Sequence, residues 1–66
     1  MNVTVNGHLV ELADGASTAA AVQVLTSAVS GIAVAVNGAV VRRSEWESTR
    51  LADGDQVEVL TAVQGG

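Results

Sequence analysis

Residues 51–66 read LADGDQVEVLTAVQGG, and this stretch decides the fold. Asp53, Gly54 and Asp55 are typical turn residues, and an alternating apolar pattern follows them. The alternation predicts a strand from residue 56 to about residue 63. The side chains predicted to face inward are Val57, Val59 and Thr61, and those predicted to face outward are Glu58 and Leu60.

The beginning of the chain predicts a β-hairpin that the last strand can join. Val3 and Val5 alternate with polar residues over 2–6, and a return strand is predicted over 8–12. The dipeptide between them, Asn6-Gly7, favours a tight turn because both of its central residues need positive φ. If the first and last strands are central and parallel, the chain between them must cross over the sheet.

One helix is predicted within that crossover. Ser17 is a good N-cap for a helix over about 18–29, and Gly31 supplies its C-terminal stop. The apolar stripe expected to pack on the sheet consists of Val22, Leu25 and Val29. Because a helix of this length is marginal alone, packing on the hairpin must hold it.

Residues 32–47 predict two more strands and a helical turn. The run at 32–36 is continuously apolar, which is typical of a strand that is buried on both faces or covered by a helix. Asn37-Gly38 predicts a second tight turn before a short strand over 39–41. Ser44 stands three residues before Glu47, which is the spacing of a capping box, so a single helical turn is expected there.

Together these elements predict an α+β fold of the β-grasp kind, with one helix packed across a mixed sheet of four to five strands. Residues 1–63 would form this domain. Residues 64–66 would form a flexible reactive tail, since terminal glycines are costly to order. The one aromatic residue, Trp46, is expected to cover the edge of a core of small side chains, with an interface anchor as the alternative.

Composition argues against several classes of function. The formal net charge is −4 and the only cations besides the terminus are Arg42, Arg43 and Arg50, so binding to nucleic acid is not expected. The sequence has no cysteine and a single histidine, His8, so no thiol nucleophile is possible and no metal site is expected. Its apolar runs are too short to span a bilayer, so we expect no membrane association and a cytoplasmic protein.

No set of side chains predicts catalysis by the chain itself. Ser17 and Ser44 are interpreted as helix caps, and one Asp-Gly-Asp turn offers too few oxygen ligands for a cation. The group that remains is the carboxylate of Gly66, a poor electrophile until another protein activates it. Gly65 and Gly66 have no side chains and could enter a narrow channel, although a frayed end is the plain alternative.

Three stretches resemble the ThiS family of sulfur carrier proteins, which have the ubiquitin-like β-grasp fold. They are VVRRSEW at 40–46, LADGDQVEV at 51–59 and TAVQGG at 61–66, so the likeness extends over essentially the whole chain. Its most specific features are Arg43-x-x-Trp46 and the Asp-Gly-Asp turn, in combination with the final Gly-Gly. Arg42 departs from the pattern, because such proteins often carry proline there.

The resemblance implies a carrier cycle at Gly66. An E1-like, ThiF-type adenylyltransferase would adenylate its carboxylate with ATP and magnesium, and a cysteine desulfurase or another donor would supply sulfur for a thiocarboxylate. A ThiG-type thiazole synthase would then take this sulfur into the thiazole ring of thiamine. Gly65 would enter the partner's active site with Gly66, and Leu60, Val63 and Gln64 would bind the partner. The chain itself would hold no cofactor and would be a co-substrate, not an enzyme.

Two other functions remain open. A MoaD-like small subunit of molybdopterin synthase would also end in Gly-Gly, but such chains are usually longer and tend to carry a Pro-Pro-Val lead into the tail. A ubiquitin-like modifier, or a non-catalytic interaction module, would use the same fold without carrying sulfur. Removing Gly66 separates these classes, because a carrier loses all activity whereas a docking module binds as before.

Overall fold

The computed structural model describes residues 1–26 and 31–61, and its elements follow the predicted order. They are β1 (Asn2–Val5), β2 (His8–Glu11), α1 (Thr18–Leu25), β3 (Ile32–Val36), β4 (Ala39–Val41), a 3-10 turn (Arg43–Glu45) and β5 (Gln56–Thr61). Within these residues, no helix is long and apolar enough to cross a membrane.

Five strands form one mixed sheet in the order β2-β1-β5-β3-β4. β1 is antiparallel to β2 and parallel to β5, where Val5 lies beside Val57. β5 is antiparallel to β3, where Val59 lies beside Val34. The first and last strands are therefore interior neighbours, and the predicted β-grasp fold is confirmed.

Both predicted Asn-Gly turns have the expected backbone. Asn6 and Asn37 each have φ of 51°, and the glycines that follow them, Gly7 and Gly38, have φ of 83° and 84°. Two consecutive residues at positive φ are what a type I′ turn requires, and asparagine tolerates this region better than most residues with a side chain. The turns set the registers of the β1–β2 and β3–β4 hairpins.

The core lies on one face of the sheet, which we call the inner face, beneath α1. Trp46 is 7% exposed, and its Nε1 donates to the Val41 carbonyl oxygen at 3.0 Å, so the prediction that it belongs to the core is confirmed. The other buried apolar side chains are Val3, Val5, Ala21, Val22, Val34, Leu51, Val57 and Val59.

β3 is covered on one face only. Val34 is buried on the inner face, whereas Ala33, which points to the opposite, outer face, is exposed. Of the two alternatives for this apolar run, burial on both faces is therefore wrong, and the strand is covered on its inner face alone. Residues 32–36 are all apolar, so they place apolar side chains on both faces of β3. In the described part of the chain, other elements cover only the inner face of the sheet.

The helix is shorter than predicted. It ends at Leu25, and Thr26 is already extended, with φ of −154° and ψ of 149°. Gly31 does have a positive φ of 72°, but it lies beyond the helix end and does not stop α1. Thr26 is β-branched, and β-branched residues favour extended backbone over helix. This preference agrees with the end of the helix at Leu25.

The predicted apolar stripe is correct only in part. Val22 is 2% exposed, but Leu25 is 49% exposed, and Val29 lies outside the described residues. Thr18 and Ala21 are instead the helix residues with no exposed surface. Small side chains at these positions allow the helix to lie close to the sheet, which leaves Leu25 at the margin.

The helical turn after β4 is present, but its predicted cap is wrong. The turn begins at Arg43, so Ser44 lies inside it and cannot precede it as a cap. Arg42 holds the N-cap position without a side-chain hydrogen bond to the turn. By contrast, Ser17 caps α1 as predicted, because its Oγ accepts a hydrogen bond from the Ala20 N–H at 3.3 Å.

Candidate functional site

The position of β5 determines where the described part of the chain ends. β5 lies in the centre of the sheet, with β1 on one side and β3 on the other, and its last residue, Thr61, pairs with Ile32. The predicted site residues Val63, Gln64, Gly65 and Gly66 lie outside the described residues. Their predicted roles stay predictions, and the described structure gives the position of the strand that precedes them in the sequence.

Thr61 does not face a core. Alternation puts it on the side of Val57 and Val59, but it is exposed, so the prediction that it contributes to the interior is wrong. The buried cluster ends at Val59 on this strand, and no described side chain covers the next inward position. Thr61 is thus already part of the surface at the start of the tail.

Asn6 attaches β5 to the sheet beyond the end of β1. Its side-chain Oδ1 accepts a hydrogen bond from the Val59 N–H at 2.8 Å, and its Nδ2 donates to the Val59 carbonyl oxygen at 3.1 Å. The Asn6 backbone N–H also donates to the Val57 carbonyl oxygen at 2.9 Å. β1 ends before this point, so it has no backbone group to pair with Val59. The Asn6 side-chain amide takes that place by bonding both the N–H and the carbonyl oxygen of Val59.

The outer face carries an apolar depression beside the end of β5. It has a volume of about 90 Å³. Leu60 is 70% exposed and Val40 is 79% exposed, and both line it. The rest of its lining consists of Ala33, Val34, Ala35 and Glu58. The predictions that Leu60 and Glu58 face outward are therefore confirmed, and Leu60 stands next to the strand end that leads to the tail.

Ala33, Ala35 and Val40 were not recognised as part of this surface from the sequence. Their signal is present in the register, since Ala33 pairs with Leu60 and Ala35 pairs with Val40. Strands that pair residue by residue present paired side chains on the same face, so an outward Leu60 implies an outward Ala33. That inference requires the pairing registers of β3 with β4 and β5, which the sequence pattern alone does not give.

A network of polar contacts holds the opposite end of β5. Asp55 accepts hydrogen bonds from the Ala52 N–H at 2.8 Å and from Asn37 Nδ2 at 2.9 Å. The bond from the Ala52 backbone, and next the bond from Asn37, lower the pKa of the Asp55 carboxyl below its ordinary value of 3.8. Asn37 Oδ1 in turn accepts from the Gln56 N–H at 2.9 Å. These contacts explain Asp55 as a structural turn residue.

The described residues offer no metal-binding cluster. No group of three or more histidine, aspartate or glutamate side chains within 1–26 and 31–61 is arranged to hold a metal ion. His8 is exposed at the start of β2. What the described structure presents is a hydrogen-bonded strand end beside an exposed apolar depression, an arrangement suited to docking against another protein.

Comparison with known proteins identifies relatives of the whole chain. A sequence model of the ThiS family matches residues 3–66. A crystal structure of a thiamine biosynthesis protein (ThiS) from Geobacter metallireducens is similar, with a TM-score of 0.77, 33% identity and 100% coverage of both chains. A solution NMR structure of a thiamine biosynthesis protein from the same organism has a TM-score of 0.80 and 35% identity, over 100% of this chain and 88% of that chain. No curated protein matches the sequence.

Proposed function

Because this chain belongs to the ThiS family, we propose that it is a sulfur carrier protein of thiamine biosynthesis. The observation that carries the proposal is a family match over residues 3–66, which includes Gly65 and Gly66, on a fold whose central strand β5 precedes them in the sequence. Its similarity to solved proteins of thiamine biosynthesis supports the same pathway. In this role the chain is a co-substrate of other enzymes.

The proposed chemistry takes place at the carboxylate of Gly66. One carboxylate oxygen attacks the α-phosphorus of ATP in a ThiF-type adenylyltransferase, which forms an acyl adenylate and releases pyrophosphate. A persulfide sulfur from the donor then attacks the acyl carbon and expels AMP, and a thiol cleaves the sulfur–sulfur bond to leave a thiocarboxylate. The partner supplies ATP and magnesium, and a ThiG-type synthase receives the sulfur for the thiazole ring.

The fold supports a role in which this chain presents the reacting carboxylate and its partners perform the catalysis. Gly65 and Gly66 lack side chains, so they can enter a channel that would exclude any other residue pair. Asn6 and β3 hold β5 from both sides up to Val59, which fixes the base of the tail while a partner binds it. Leu60 and Val40 offer apolar area for docking beside that base, and Val63 and Gln64 would extend the contact.

The test is intact-mass analysis of the full chain after incubation with ATP, a ThiF-type adenylyltransferase and a sulfur donor, followed by fragmentation of the C-terminal peptide. We expect an ATP-dependent exchange of oxygen for sulfur located at Gly66. Because this change nearly matches the mass of an added oxygen, fragmentation must separate it from oxidation at Met1 or Trp46. A chain lacking Gly66 is the control, and it should bind the partner but acquire no sulfur.

Transfer of the sulfur to a thiazole product by a ThiG-type synthase would then establish the pathway. Two results would contradict the proposal. One is the absence of sulfur at Gly66 under conditions in which the enzyme adenylates its own verified carrier. The other is formation of an isopeptide-linked adduct, which would identify a ubiquitin-like modifier.

A further inference from the structure

Arg42 lies on the outer face of the sheet, at the edge of the apolar depression. It follows β4 directly and has extended backbone, with φ of −66° and ψ of 147°. Val40 points to the outer face because it pairs with Ala35, and Val41 points inward because it pairs with Val34. Since extended backbone continues the alternation, Arg42 points outward on the same side as Val40.

Arg42 also stands at the level where the tail begins. Continuing the β3–β4 register by one residue places Arg42 across from Ala33, which pairs with Leu60 on the other side of β3. Adjacent strands lie roughly 4.8 Å apart, so two steps put the Arg42 and Leu60 Cα atoms about 10 Å apart. An arginine side chain can span much of that distance along the edge of the depression.

The Arg42 guanidinium serves no structural role among the described residues. It makes no ion pair or hydrogen bond there, whereas Arg50, also exposed, donates from a guanidinium nitrogen to the Gly15 carbonyl oxygen at 2.8 Å. The Arg42 backbone N–H likewise donates no hydrogen bond in this part of the chain. The chain has a formal net charge of −4 and three cationic side chains. An exposed arginine beside a docking surface is therefore a localised positive charge that can orient an approaching partner.

Glu58 supplies the opposite charge on the same face. It lines the depression and lies two residues before Leu60 on β5. At about 3.3 Å per residue and 4.8 Å per strand, its Cα is roughly 12 Å from that of Arg42. The face therefore presents an apolar centre with a cation on the tail side and an anion on the far side, and this asymmetry defines one orientation for a partner.

We propose that Arg42 is a specificity-determining residue for docking, and that the adenylyltransferase accepting the tail carries a carboxylate opposite it, beside the apolar surface that covers Leu60. The inference rests on the proposed function. An ion pair at the edge of an apolar contact contributes more to association rate and partner choice than to total affinity. Arg42 would thus orient the domain so that the tail meets the channel.

Arg42→Pro removes the positive charge without changing the backbone, because the native backbone already suits proline. The φ of −66° lies within the range that proline requires, and no described hydrogen bond from the Arg42 N–H is lost. Arg42→Glu reverses the charge at the same place. Gln56→Glu lowers the net charge by one, as Arg42→Pro does, and is the matched control for that variant, because Gln56 is exposed on β5 and its Cα is about 13 Å from that of Leu60 along the strand.

Binding of each full-length variant to a ThiF-type adenylyltransferase is measured by stopped flow and calorimetry across a salt series. At low salt we expect Arg42→Glu to associate roughly tenfold more slowly than wild type and Arg42→Pro about threefold more slowly, with Gln56→Glu within about twofold. These differences should disappear near 1 M salt, where the screening length falls to about 3 Å. Thermal melts at both salt concentrations should show all variants folded.

Equal association rates for wild type and Arg42→Glu at low salt would overturn the role of Arg42. If wild type is loaded with sulfur at Gly66 while that equality holds, the carrier function stands and only the docking inference fails. If wild type neither binds nor is loaded, both fail together. A rate loss in Gln56→Glu as large as in Arg42→Pro would also overturn the inference, because these two variants change the net charge equally and net charge rather than position would then account for the effect.

Discussion

At the scale of single residues, the two Asn-Gly turns differ in what their side chains hold. The two bonds from the Asn6 side chain to the main-chain groups of Val59 are partly buried, whereas the corresponding contacts of Asn37 are exposed at the far end of β5. Both residues have φ of 51°, so glycine can replace either without backbone strain. The pair therefore isolates the contribution of the side-chain contacts.

We expect Asn6→Gly to lower the free energy of unfolding by about 2 kcal/mol and Asn37→Gly by roughly 1 kcal/mol, since unmet polar groups cost more when water cannot reach them. Hydrogen exchange should show a faster Val59 amide in Asn6→Gly and a faster Gln56 amide in Asn37→Gly. The same exchange rate for Val59 in both variants would show that Asn6 does not hold the tail end of β5.

Asp55 gives the domain a pH dependence of predictable sign. Its pKa in the folded state is lowered below 3.8 by the bonds from Ala52 and Asn37, so the carboxylate contributes stability above that value. The contribution is lost as pH falls through the folded-state pKa. We expect Asp55→Asn to melt below wild type at neutral pH, with the gap narrowing below about pH 3.8. Thermal melts across an acid series test this, and a constant gap would contradict it.

Residue roles were predictable where local chemistry determines them. Ser17 as a cap and Asn6 and Asn37 as turn residues follow from backbone needs that involve few neighbours. The bonds from the Asn6 side chain to Val59 join residues 53 positions apart, so no local pattern could reveal them. The cap predicted at Ser44 is wrong because the observed turn has its N-cap at Arg42, two residues earlier, and the Ser-x-x-Glu spacing does not distinguish the two positions.

At the scale of elements, α1 depends on its cap and on close packing more than on its length. It has eight residues, and no acidic side chain occupies its first turn to favour the helix dipole. The Ser17 Oγ is therefore the side-chain acceptor at its N-terminus. Thr18 anchors the same turn, since its N–H and its Oγ1 both donate to the Thr49 carbonyl oxygen, at 2.8 Å and 3.0 Å.

Replacing Ser17 by alanine should lower the free energy of unfolding by about 1 kcal/mol, because the Ala20 N–H then loses its side-chain acceptor. Denaturant unfolding followed by circular dichroism measures the change. Ser48→Ala is the matched control, since Ser48 Oγ is exposed and donates only to the nearby Glu45 carbonyl oxygen, and it should change stability by less than about 0.5 kcal/mol. Equal losses in the two variants would argue against the cap.

Element types were easier to predict than element ends. Apolar alternation located β1 and β5, and a glycine or asparagine marked each hairpin turn. The end of α1 was missed because the predicted stripe counted large apolar side chains, while the observed contacts use Thr18 and Ala21. Which face of β3 is covered likewise depends on the position of the helix, which a continuous run of valine and alanine does not encode.

At the scale of the whole molecule, two exposed leucines on one sheet face allow a direct test of where partners bind. Leu60 is 70% exposed near the end of the central strand β5, and Leu9 is 72% exposed on the edge strand β2. Leu9 belongs to the outer face because it pairs with Thr4, which alternates with the inward Val3 and Val5. The two side chains match in type and exposure but differ in distance from the tail.

We expect Leu60→Glu to weaken binding to the adenylyltransferase by more than about 1 kcal/mol, and Leu9→Glu to leave it within about 0.5 kcal/mol. Neither change should unfold the domain, since both positions are exposed. Calorimetry with the full chain measures the affinity and a thermal melt confirms folding. Unchanged affinity for Leu60→Glu would remove the apolar depression from the docking surface.

The parallel pairing of β1 and β5 also determines how the domain responds to mechanical force. A partner that grips the tail pulls along β5, in the direction of the strand. Sliding β5 past β1 must break the bonds from Thr4 N–H to the Asp55 oxygen and from Asn6 N–H to the Val57 oxygen nearly together, along with the Asn6 side-chain contacts. A hairpin opened from its end breaks its bonds one at a time, so this shear geometry favours a domain that stays folded while its tail is pulled.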